Sequence, residues 1–581
     1  MPDNSGITRR AAILSAAAPL LRAGHRQQMR ELGPGDRFTV RAEEGWYMHS
    51  AGVVNFGDEL VCTYRRSDEH IASEVEIWCA RSSDGGRTWT DHKMISRLGW
   101  EPDHACWVAP QLSRTRDGRM LLLVDRGEKL SKFDWPMLSQ WQMKDRGMSN
   151  HLFVSQDRGH TWDGPHKTDD VGGEPGYIVE LSNGSWMYTR TDSKPTTAKK
   201  FPSMPWGPNY YRNTAVFSDD QGKSWNRTAV VTDDPLVGDA EVGVAEYAPG
   251  KLIAITRIGD AGSALGQPSR FVFSDDFGKS WAKPVLSPIY AHRAAVHPLQ
   301  SGKLLVSYRN AWGTTGTCAF VFDPGEKFGY QPNSVIWDDS RCKLAGDAME
   351  VRTADGRENA VEYTLYPVED DDSAVEFEAE LMVKEASANG CLISAGGWIR
   401  FTPQRVEIAD RPAEGFAMDA TRWHKYRVVN RGHRIQVYAD GELKLQTATE
   451  GIFTRLVHFG NRSGIAATAP QPKDGQTTRK PLREAGYQQN ASLSLWRSMA
   501  VKVQNRRDHS MDWHWSAKDG YPDQLRRGRV IRLERNGTFS AGNSGYSNWT
   551  QLPDGTVVVV DYTAGDPPRR HPLLRAYRLR V

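Results

Sequence analysis

Long apolar runs are nearly absent from this chain. The run from Ala11 to Leu21 has 11 residues, which is too short to cross a bilayer as a helix. It follows the pair Arg9-Arg10, and a basic segment before a short apolar core is typical of an export signal. We therefore expect residues 1–23 to be an export signal similar to the twin-arginine type, and the protein to be periplasmic or secreted.

Cysteine is also scarce, with six residues among 581, at positions 62, 79, 106, 318, 342 and 391. None forms a CxxC pair or a metal-ligand spacing, so we predict neither a metal nor another cofactor. A disulfide between Cys62 and Cys79 requires that the two lie on neighbouring strands. The acidic run from Glu369 to Asp372 is compatible with a calcium site, although a solvated turn is the favoured interpretation.

A large excess of charge of one sign is missing as well, because the formal net charge is only +3. So small an excess argues against nucleic acid or a membrane surface as the partner. The length of 581 residues and the 39% of hydrophobic residues predict two or more domains with a substantial core. Tryptophan is plentiful, with 20 residues, and its flat apolar face suits sugar rings, although we expect most of these side chains to be structural.

One motif, Ser-x-Asp-x-Gly-x-Thr/Ser-Trp, occurs four times. The copies begin at Ser82, Ser155, Ser218 and Ser274 and end at Trp89, Trp162, Trp225 and Trp281. In a tight hairpin the aspartate accepts hydrogen bonds from the turn, the glycine supplies a positive φ, and the tryptophan packs against the sheet. The four copies resemble the Asp-boxes of the sialidase superfamily, which implies a structural and not a catalytic role.

Between the boxes, a turn is followed by a hydrophobic strand that ends in a polar residue, and this occurs six times. The six ends are Arg65, Arg126, Arg190, Arg257, Arg309 and Tyr562. Each unit also has a preceding short strand, so we predict an all-β fold, a six-bladed β-propeller. The segment Arg37 to Ala42 is expected to pair with the last strand, Leu574 to Val581, and to close the ring.

Residues 338–503 interrupt this rhythm, because they contain no Asp-box. Alternating strands surround the turn Asp440-Gly441, and the stretch resembles laminin-G and concanavalin-like jelly rolls. We therefore predict blades one to five within 35–337, a jelly-roll domain inserted between blades five and six at 338–503, and the rest of the propeller, with blade six, at 504–581. The insertion serves either as structural cover or as a glycan-binding domain.

Three blades share one register, in which Glu241, Arg293 and Tyr546 each stand nine residues before a turn glycine. All three are expected to point into the central funnel, with His49 at a similar place in blade one. The strand ends, among them Arg65, surround the same face, opposite the Asp-boxes. Such a concave and arginine-rich site suits a ligand with a carboxylate, although two or three of these arginines are expected to pair with acids between blades.

Residue by residue, the last blade resembles the nucleophile strand of exo-sialidases, which implies that Tyr546 is the catalytic tyrosine. Blade four resembles the strand that carries its glutamate partner, here Glu241, and an arginine that grips the substrate carboxylate, here Arg257. The segment after Arg65-Arg66 resembles the loop of the acid/base aspartate, which implies Asp68, with Glu69 as the alternative. A neutral tyrosine suits a substrate whose carboxylate would repel an anionic nucleophile.

Two departures from the family pattern concern the carboxylate grip. Where the family has Arg-Ile-Pro, blade one has His49-Ser50-Ala51, and where it has an orienting glutamate, blade six has Asp561-Tyr562. The third arginine of the family has no clear match, and Arg293 and Arg309 are the candidates. These changes favour an acidic sugar that differs from ordinary sialic acid.

The sequence therefore predicts an exo-acting, retaining glycoside hydrolase, similar to exo-α-sialidases, that releases a terminal sialic acid or related acidic sugar. Its catalytic residues would be Tyr546, Glu241 and Asp68, and its binding residues Arg257, Arg293, Arg309, His49 and Arg65. Two alternatives stay open. One is a polysaccharide lyase on uronic acid glycans with His49 or Tyr546 as base, and the other is a glycan-binding propeller without catalysis.

Overall fold

The computed structural model describes residues 26–70, 72–132, 147–171, 173–195, 209–235, 237–258, 268–310, 315–367, 373–448, 457–462, 489–504, 509–536, 543–565 and 567–581. The predicted export signal at 1–23 and the acidic run at 369–372 lie outside the described residues, so both stay predictions. Within the described part of the chain, no helix is long and apolar enough to span a membrane.

Six β-sheets form the six blades of a propeller, as the sequence predicts. The first two strands are β1 (Arg30–Glu31) and β2 (Arg37–Arg41). Blade one contains β3 (Tyr47–Asn55), β4 (Leu60–Ser67), β5 (Glu74–Ser82) and β6 (Thr90–Gly99). Blade two contains β7 (Ala105–Trp107), β8 (Gln111–Arg114), β9 (Met120–Glu128), β10 (Met148–Ser155) and β11 (Asp163–Asp169). Blade three contains β12 (Val179–Glu180), β13 (Trp186–Pro195), β14 (Asn209–Ser218) and β15 (Arg227–Thr232).

The remaining blades repeat this plan. Blade four contains β16 (Asp239–Ala248), β17 (Lys251–Ile258), β18 (Arg270–Ser274) and β19 (Val285–Leu286). Blade five starts with β20 (Ala291–Pro298), β21 (Leu304–Asn310) and β22 (Gly316–Phe322).

Two further sheets, one of seven and one of eight strands, follow β22 in the chain. The first contains β23 (Asn333–Ile336), β26 (Val361–Leu365), β28 (Leu392–Ala395), β29 (Trp398–Thr402), β30 (Arg405–Ile408), β31 (Arg411–Ala417) and β35 (Val457–Gly460). The second contains β24 (Cys342–Ala345), β25 (Ala348–Thr353), β27 (Ala374–Ala386), β32 (His424–Arg431), β33 (Arg434–Ala439), β34 (Glu442–Ala448), β36 (Ser492–Gln504) and β37 (Met511–Ser516). Both sheets bury one common core, which includes Tyr363, Phe459 and Trp496, so the insertion is a β-sandwich.

After the sandwich, helix α1 (Gln524–Arg529) leads to β38 (Val530–Arg535), and blade six contains β39 (Ser544–Gln551), β40 (Val557–Thr563) and β41 (Leu573–Leu579). Short 3₁₀ turns occur at Pro34–Asp36, Asp339–Arg341, Arg357–Asn359 and Ala517–Asp519. Strand β2 pairs with β41, with Phe38 opposite Ala576, which confirms the predicted closure of the ring.

The place of the insertion differs from the prediction. Strand β38 pairs with β22 and is the fourth strand of blade five, so the sandwich interrupts blade five instead of lying between blades five and six. Its strands extend from 333 to 516, beyond the predicted 338–503 at both ends. No Asp-box links β22 to β38, because the sandwich replaces that turn, so the repeat gave no signal there. The more specific jelly-roll assignment stays a prediction.

The four Asp-boxes form the turns between strands three and four of blades one to four. In the first box, Asp84 accepts from the backbone amide of Thr88 at 2.9 Å, and the Ser82 hydroxyl accepts from the amide of Gly86 at 2.8 Å. Gly86 has a φ of 90°, and Trp89 is only 8% exposed. These bonds fix the turn, as the motif predicts.

The six cysteines all lie in the described residues, are buried and are free. Cys62 and Cys79 do lie on neighbouring strands, but Cys62 is opposite Ala80 and Cys79 is opposite Thr63. Because successive residues of a strand point to opposite faces, their sulfur atoms lie on opposite sides of the sheet. The disulfide considered from the sequence therefore does not form.

We expect Trp89→Ala to lower the free energy of unfolding by about 3 kcal/mol, because it empties a buried site in a packed core. Trp225→Ala is the matched control, since Trp225 is half-buried and its indole N–H has no partner among the described residues. We expect Trp225→Ala to lower the free energy of unfolding by less than Trp89→Ala does. Urea unfolding of both variants checks this, and equal losses would contradict a packing role for the buried tryptophan.

Candidate active site

Four inner strands, in blades one, four, five and six, carry a β-bulge near their first residues. In each bulge one residue adopts a positive φ, which is uncommon for residues with a side chain and clusters at functional sites. These residues are Ser50 (42°), Glu241 (42°), Arg293 (49°) and Tyr546 (69°). Three of them are the residues whose shared register the sequence revealed, whereas in blade one the equivalent residue is Ser50 and His49 precedes it.

The residue before each bulge lies opposite the polar end of strand two. The pairs, in blade order, are His49 with Arg65, Ala240 with Arg257, His292 with Arg309 and Gly545 with Tyr562. At the last pair a close approach requires glycine, because Gly545 has a φ of 92° and a Cβ there would lie 2.2 Å from the Cβ of Arg309. The bulges thus bring side chains from four blades to one face of the funnel.

Tyr546 and Glu241 meet at the centre of this face. The Tyr546 hydroxyl donates a hydrogen bond to Oε1 of Glu241, whose side chain is fully buried. A guanidinium nitrogen of Arg257 lies 2.6 Å from Oε2 of Glu241 and 3.3 Å from the Tyr546 hydroxyl. A hydroxyl, a base and a cation are therefore in direct contact.

The electrostatics of this contact set the two protonation states. Burial raises the pKa of Tyr546 well above its ordinary value, and the charge of Glu241 adds to the rise, so the phenol is neutral. Burial also acts to raise the pKa of Glu241, but the charges of Arg257 and Arg293 outweigh it and lower the value to about 2. Glu241 is therefore an ionised acceptor for the proton of a neutral hydroxyl.

Two further arginines flank the Tyr546 ring. The guanidinium carbons of Arg293 and Arg309 lie 5.3 Å and 5.1 Å from the ring centroid. Arg293 donates to the backbone carbonyl of Glu174 at 3.2 Å, and Arg309 donates to that of Ser544 at 3.0 Å. Backbone carbonyls orient these guanidinium groups, and guanidinium groups are strong hydrogen-bond donors to anionic ligands.

Arg65 is held in the same manner. It donates to the backbone carbonyls of Val108 at 3.3 Å and of His70 at 3.2 Å. Other strand-end arginines of this face are paired with acids. Arg190 of blade three lies 3.2 Å from Asp169 of blade two, a pair between blades of the predicted kind, whereas Arg126 pairs with Glu128 of its own strand. The guanidinium groups of Arg257, Arg293 and Arg309 lie beside Tyr546.

His49 is 3% exposed and stands beside the tyrosine, with its ring centroid 5.0 Å from that of Tyr546 and 4.4 Å from that of Tyr562. Its Nδ1 is bonded to the Ser50 hydroxyl, while its Nε2 has no partner among the described residues. Burial, and then the charges of His70 and Arg65, lower the pKa of His49 well below its ordinary value. The His49 imidazole is therefore neutral, at the position where the family resemblance implies a permanently charged arginine.

The structure does not bring Asp68 to this centre. Its carboxylate accepts from the Ser73 hydroxyl at 2.6 Å and from the Ser73 amide at 3.1 Å, which closes its own loop. Glu69, the alternative, is exposed and lies 3.4 Å from His571. From the described part of this loop, His70 lines the cavity beside Tyr546. The acid/base role of Asp68 stays a prediction.

A small cavity of about 30 Å³ adjoins Tyr546. Its wall includes His49, Arg65, His70, Trp107, Glu174 and Tyr546. Sequence reasoning missed Trp107, His70 and Glu174. Glu174 lies in a Gly-Gly-Glu-Pro-Gly stretch that has the composition of an ordinary loop. Because the inner strand of blade three has only two residues, the register shared by the other blades did not indicate Glu174 as a site residue.

A larger cavity, of about 860 Å³, lies at the other mouth of the propeller, where the far ends of the inner strands meet. Its acids are engaged in ties between blades. Glu180 lies 3.3 Å from the Arg116 guanidinium, and Glu246 accepts from the Ser182 hydroxyl at 2.7 Å. We place the site at the Tyr546 mouth because the convergent charged groups are there. Among the described residues, no group of histidines, cysteines and acids is arranged to hold a metal ion.

One family model and several solved structures are similar to this chain. Residues 58–314 match the family described as the BNR repeat-like domain. No curated protein matches the chain. Similar solved structures include a protein of unknown function from Dyadobacter fermentans, at 18% identity and a TM-score of 0.41, over 57% of this chain and 93% of that one. Trypanosoma rangeli sialidase with 2,3-difluorosialic acid, described as a covalent intermediate, matches at 12% identity and a TM-score of 0.38, over 86% and 98%.

Behind Tyr562, at the place of the family's orienting glutamate, the Asp561 side chain is fully buried. It accepts from the Thr317 hydroxyl and from the Tyr562 amide, the latter at 2.7 Å. Burial nevertheless raises the pKa of Asp561 to about 7. In an unfolded chain the same group has a pKa of about 3.9.

We expect Asp561→Asn to change how stability depends on pH. Between about pH 4 and 7 the folded wild type keeps a proton that the unfolded chain releases, so its free energy of unfolding falls as the pH rises through this window. The Asp561→Asn variant has no such group. Its free energy of unfolding should therefore rise, relative to that of wild type, by on the order of 4 kcal/mol from pH 4 to pH 8. Unfolding in urea at both pH values measures the difference, and a constant offset between the two proteins would refute it.

Proposed function

We propose that this six-bladed propeller of the sialidase and BNR-repeat superfamily is an exo-acting, retaining glycoside hydrolase that releases a terminal acidic sugar, and that it works after export. The hydrogen bond between Tyr546 and Glu241, inside a funnel lined by arginines, carries the proposal. Both residues lie in strained bulges on different blades, so the contact depends on two separate backbone distortions.

The chemistry follows from the charges of the site. A sugar with a carboxylate next to its anomeric carbon repels an anionic nucleophile, whereas the neutral phenol of Tyr546 approaches it without that penalty. As the Tyr546 oxygen bonds to the anomeric carbon, its proton passes to the ionised Glu241. Water then releases the sugar with its configuration retained, because two displacements at one carbon restore it.

The arginines account for the preference for an acidic sugar. Arg257, Arg293 and Arg309 converge around the Tyr546 ring, within reach of one ligand carboxylate. Planar guanidinium groups bind carboxylates with paired hydrogen bonds, and burial in the funnel strengthens those bonds.

His49 points to a particular kind of acidic sugar. A neutral imidazole with a buried Nε2 favours a hydrogen bond with a hydroxyl over a second grip on a carboxylate. We therefore propose a relative of sialic acid with altered substituents as the preferred substrate, with sialic acid itself as a poorer one.

A second candidate function, a polysaccharide lyase, is favoured by one observation. The His49 imidazole is neutral, and its ring centroid lies 5.0 Å from that of Tyr546. The site therefore offers a base and a hydroxyl acid beside arginines that would neutralise a uronate. A glycan-binding propeller without catalysis needs no contact between a base and a hydroxyl. The Tyr546–Glu241 pair therefore favours an enzyme over that third alternative.

We expect Tyr546→Phe to reduce turnover by at least about 10³-fold on an aryl glycoside of an acidic sugar, because the attacking oxygen is lost while the ring still fills its site. Glu241→Gln should act on the same step, so the double variant should be no slower than the worse single one. Steady-state kinetics measure these effects. Tyr438→Phe in the sandwich, with the same change of side chain, is the control, and near-native turnover of Tyr546→Phe would falsify the mechanism.

Product analysis separates the hydrolase from the lyase. We expect a saturated acidic sugar to be released with retained anomeric configuration, as seen by proton NMR early in the reaction. No ultraviolet absorbance from a new double bond should develop with uronic acid polymers. If that absorbance appears and no sugar is released from acidic exo-glycosides, the lyase assignment replaces the hydrolase.

A further inference from the structure

A second carboxyl group, that of Glu174, reaches the catalytic pair. The Glu174 side chain interacts with the Glu241 carboxylate, is 8% exposed, and forms part of the wall of the cavity beside Tyr546. Its backbone is fixed on both sides. The amide donates to the buried carboxylate of Asp125 at 3.0 Å, and the carbonyl accepts from Arg293 at 3.2 Å.

The Glu174 backbone is also strained, with a φ of 44°. A positive φ in a glutamate is uncommon and persists only where the surroundings hold it. Here Asp125 and Arg293 hold the residue from either side, and the consequence is that the carboxyl group faces both Glu241 and the cavity.

Two carboxyl groups in direct contact cannot both ionise at neutral pH, so the pair shares one proton. Arg257 and Arg293 favour the charged form of Glu241. Burial, and then the negative charge of Glu241, raise the pKa of Glu174 well above its ordinary value. The proton therefore belongs to Glu174, which presents a neutral acid to the cavity.

We propose that Glu174 is the proton donor to the glycosidic oxygen, and the base for water in the second step, of the hydrolysis proposed above, on which this inference rests. In the first step the Tyr546 oxygen bonds to the anomeric carbon and its proton passes to Glu241. The bond from the anomeric carbon to the leaving oxygen breaks, and that oxygen takes the proton of Glu174.

The second step reverses these transfers. A water oxygen bonds to the anomeric carbon and gives its proton to Glu174, while the bond to the Tyr546 oxygen breaks and Glu241 returns its proton to that oxygen. The Glu174–Glu241 pair thus holds one proton before, between and after the two steps. The site never contains two adjacent carboxylates, which is the state that their contact most disfavours.

Asp68, the donor implied by family resemblance, is less suited to this role in the structure. Its carboxylate is occupied by the hydroxyl and the amide of Ser73, and its loop contributes His70 instead to the cavity. Glu174 lies in the wall of the cavity beside Tyr546, and the proposal places the leaving oxygen on that side of the reacting carbon.

The dependence of rate on the leaving group tests the inference. With Glu174→Gln we expect kcat/KM for an alkyl glycoside, whose leaving group needs a proton, to fall by about 10²–10⁴-fold. For a nitrophenyl glycoside of the same sugar, whose leaving group needs no proton, the first step should be far less affected. Azide should restore turnover, because it replaces water in the second step and needs no base. Glu180→Gln, the same substitution at the opposite mouth of blade three, is the matched control.

The outcomes separate this inference from the proposed function. If wild type cleaves no acidic glycoside, the proposed function fails and the donor role fails with it. If wild type is active and Glu174→Gln behaves like Glu180→Gln, only the donor role is overturned. If Asp68→Asn alone gives the leaving-group dependence, Asp68 is the donor and Glu174 is not.

A spectroscopic readout does not depend on turnover. The infrared difference spectrum of wild type minus Glu174→Gln at pH 7 should contain the carbonyl stretch of a neutral carboxylic acid. A difference spectrum that contains only carboxylate bands would overturn the inference. Should Glu174→Gln fold poorly, Glu174→Asp keeps an acid on a shorter side chain. If Glu174 is the donor, Glu174→Asp should slow cleavage of the alkyl glycoside more than Asp68→Asn does.

Discussion

One extra residue near the start of an inner strand is the constraint on which this site depends. In blades four, five and six that residue is Glu241, Arg293 or Tyr546, each forced into a left-handed backbone conformation. A residue in such a conformation costs of order 1–3 kcal/mol, and the surrounding sheet must hold it there. The rigid ladders of the blades provide that support, because each bulge is flanked by regular pairing on both sides. A regular strand would turn these side chains toward other neighbours, and the hydroxyl would not meet its base.

The electrostatic balance of the funnel follows from this arrangement. Buried arginines, Arg293 among them, are oriented by backbone carbonyls, and Arg293 and Arg257 place positive charge beside Glu241. That charge keeps Glu241 ionised in a site where burial alone would protonate it. The proton that two touching carboxyl groups must share is then displaced to Glu174. In the proposed reaction a substrate carboxylate binds to the same arginines, so recognition of an acidic sugar and the protonation states needed for catalysis would have the same cause.

The sequence predicts the periodic part of this molecule well. Four Asp-boxes, six strand ends and a shared spacing before the turn glycines were enough for the number of blades, the closing strand and the convergence of Glu241, Arg293 and Tyr546 on one face. Features outside the repeat were not accessible. The fourth strand of blade five follows an insertion that erased its Asp-box, and Glu174 lies in a loop whose glycines and proline conceal it. Family resemblance suggested Asp68 from chain order, but the hydrogen bonds of its loop are decided only by the folded geometry.

The claim that Tyr546 forms the covalent bond is tested most directly by trapping that bond. The protein is incubated with a fluorinated acidic glycosyl fluoride, which forms the glycosyl-enzyme quickly and hydrolyses slowly, and the modified peptide is then sequenced by mass spectrometry. We predict one added sugar per chain, attached to Tyr546, and none in Tyr546→Phe. A sugar attached to Glu241, Glu174 or Asp68, or release of fluoride without any adduct, would contradict the account.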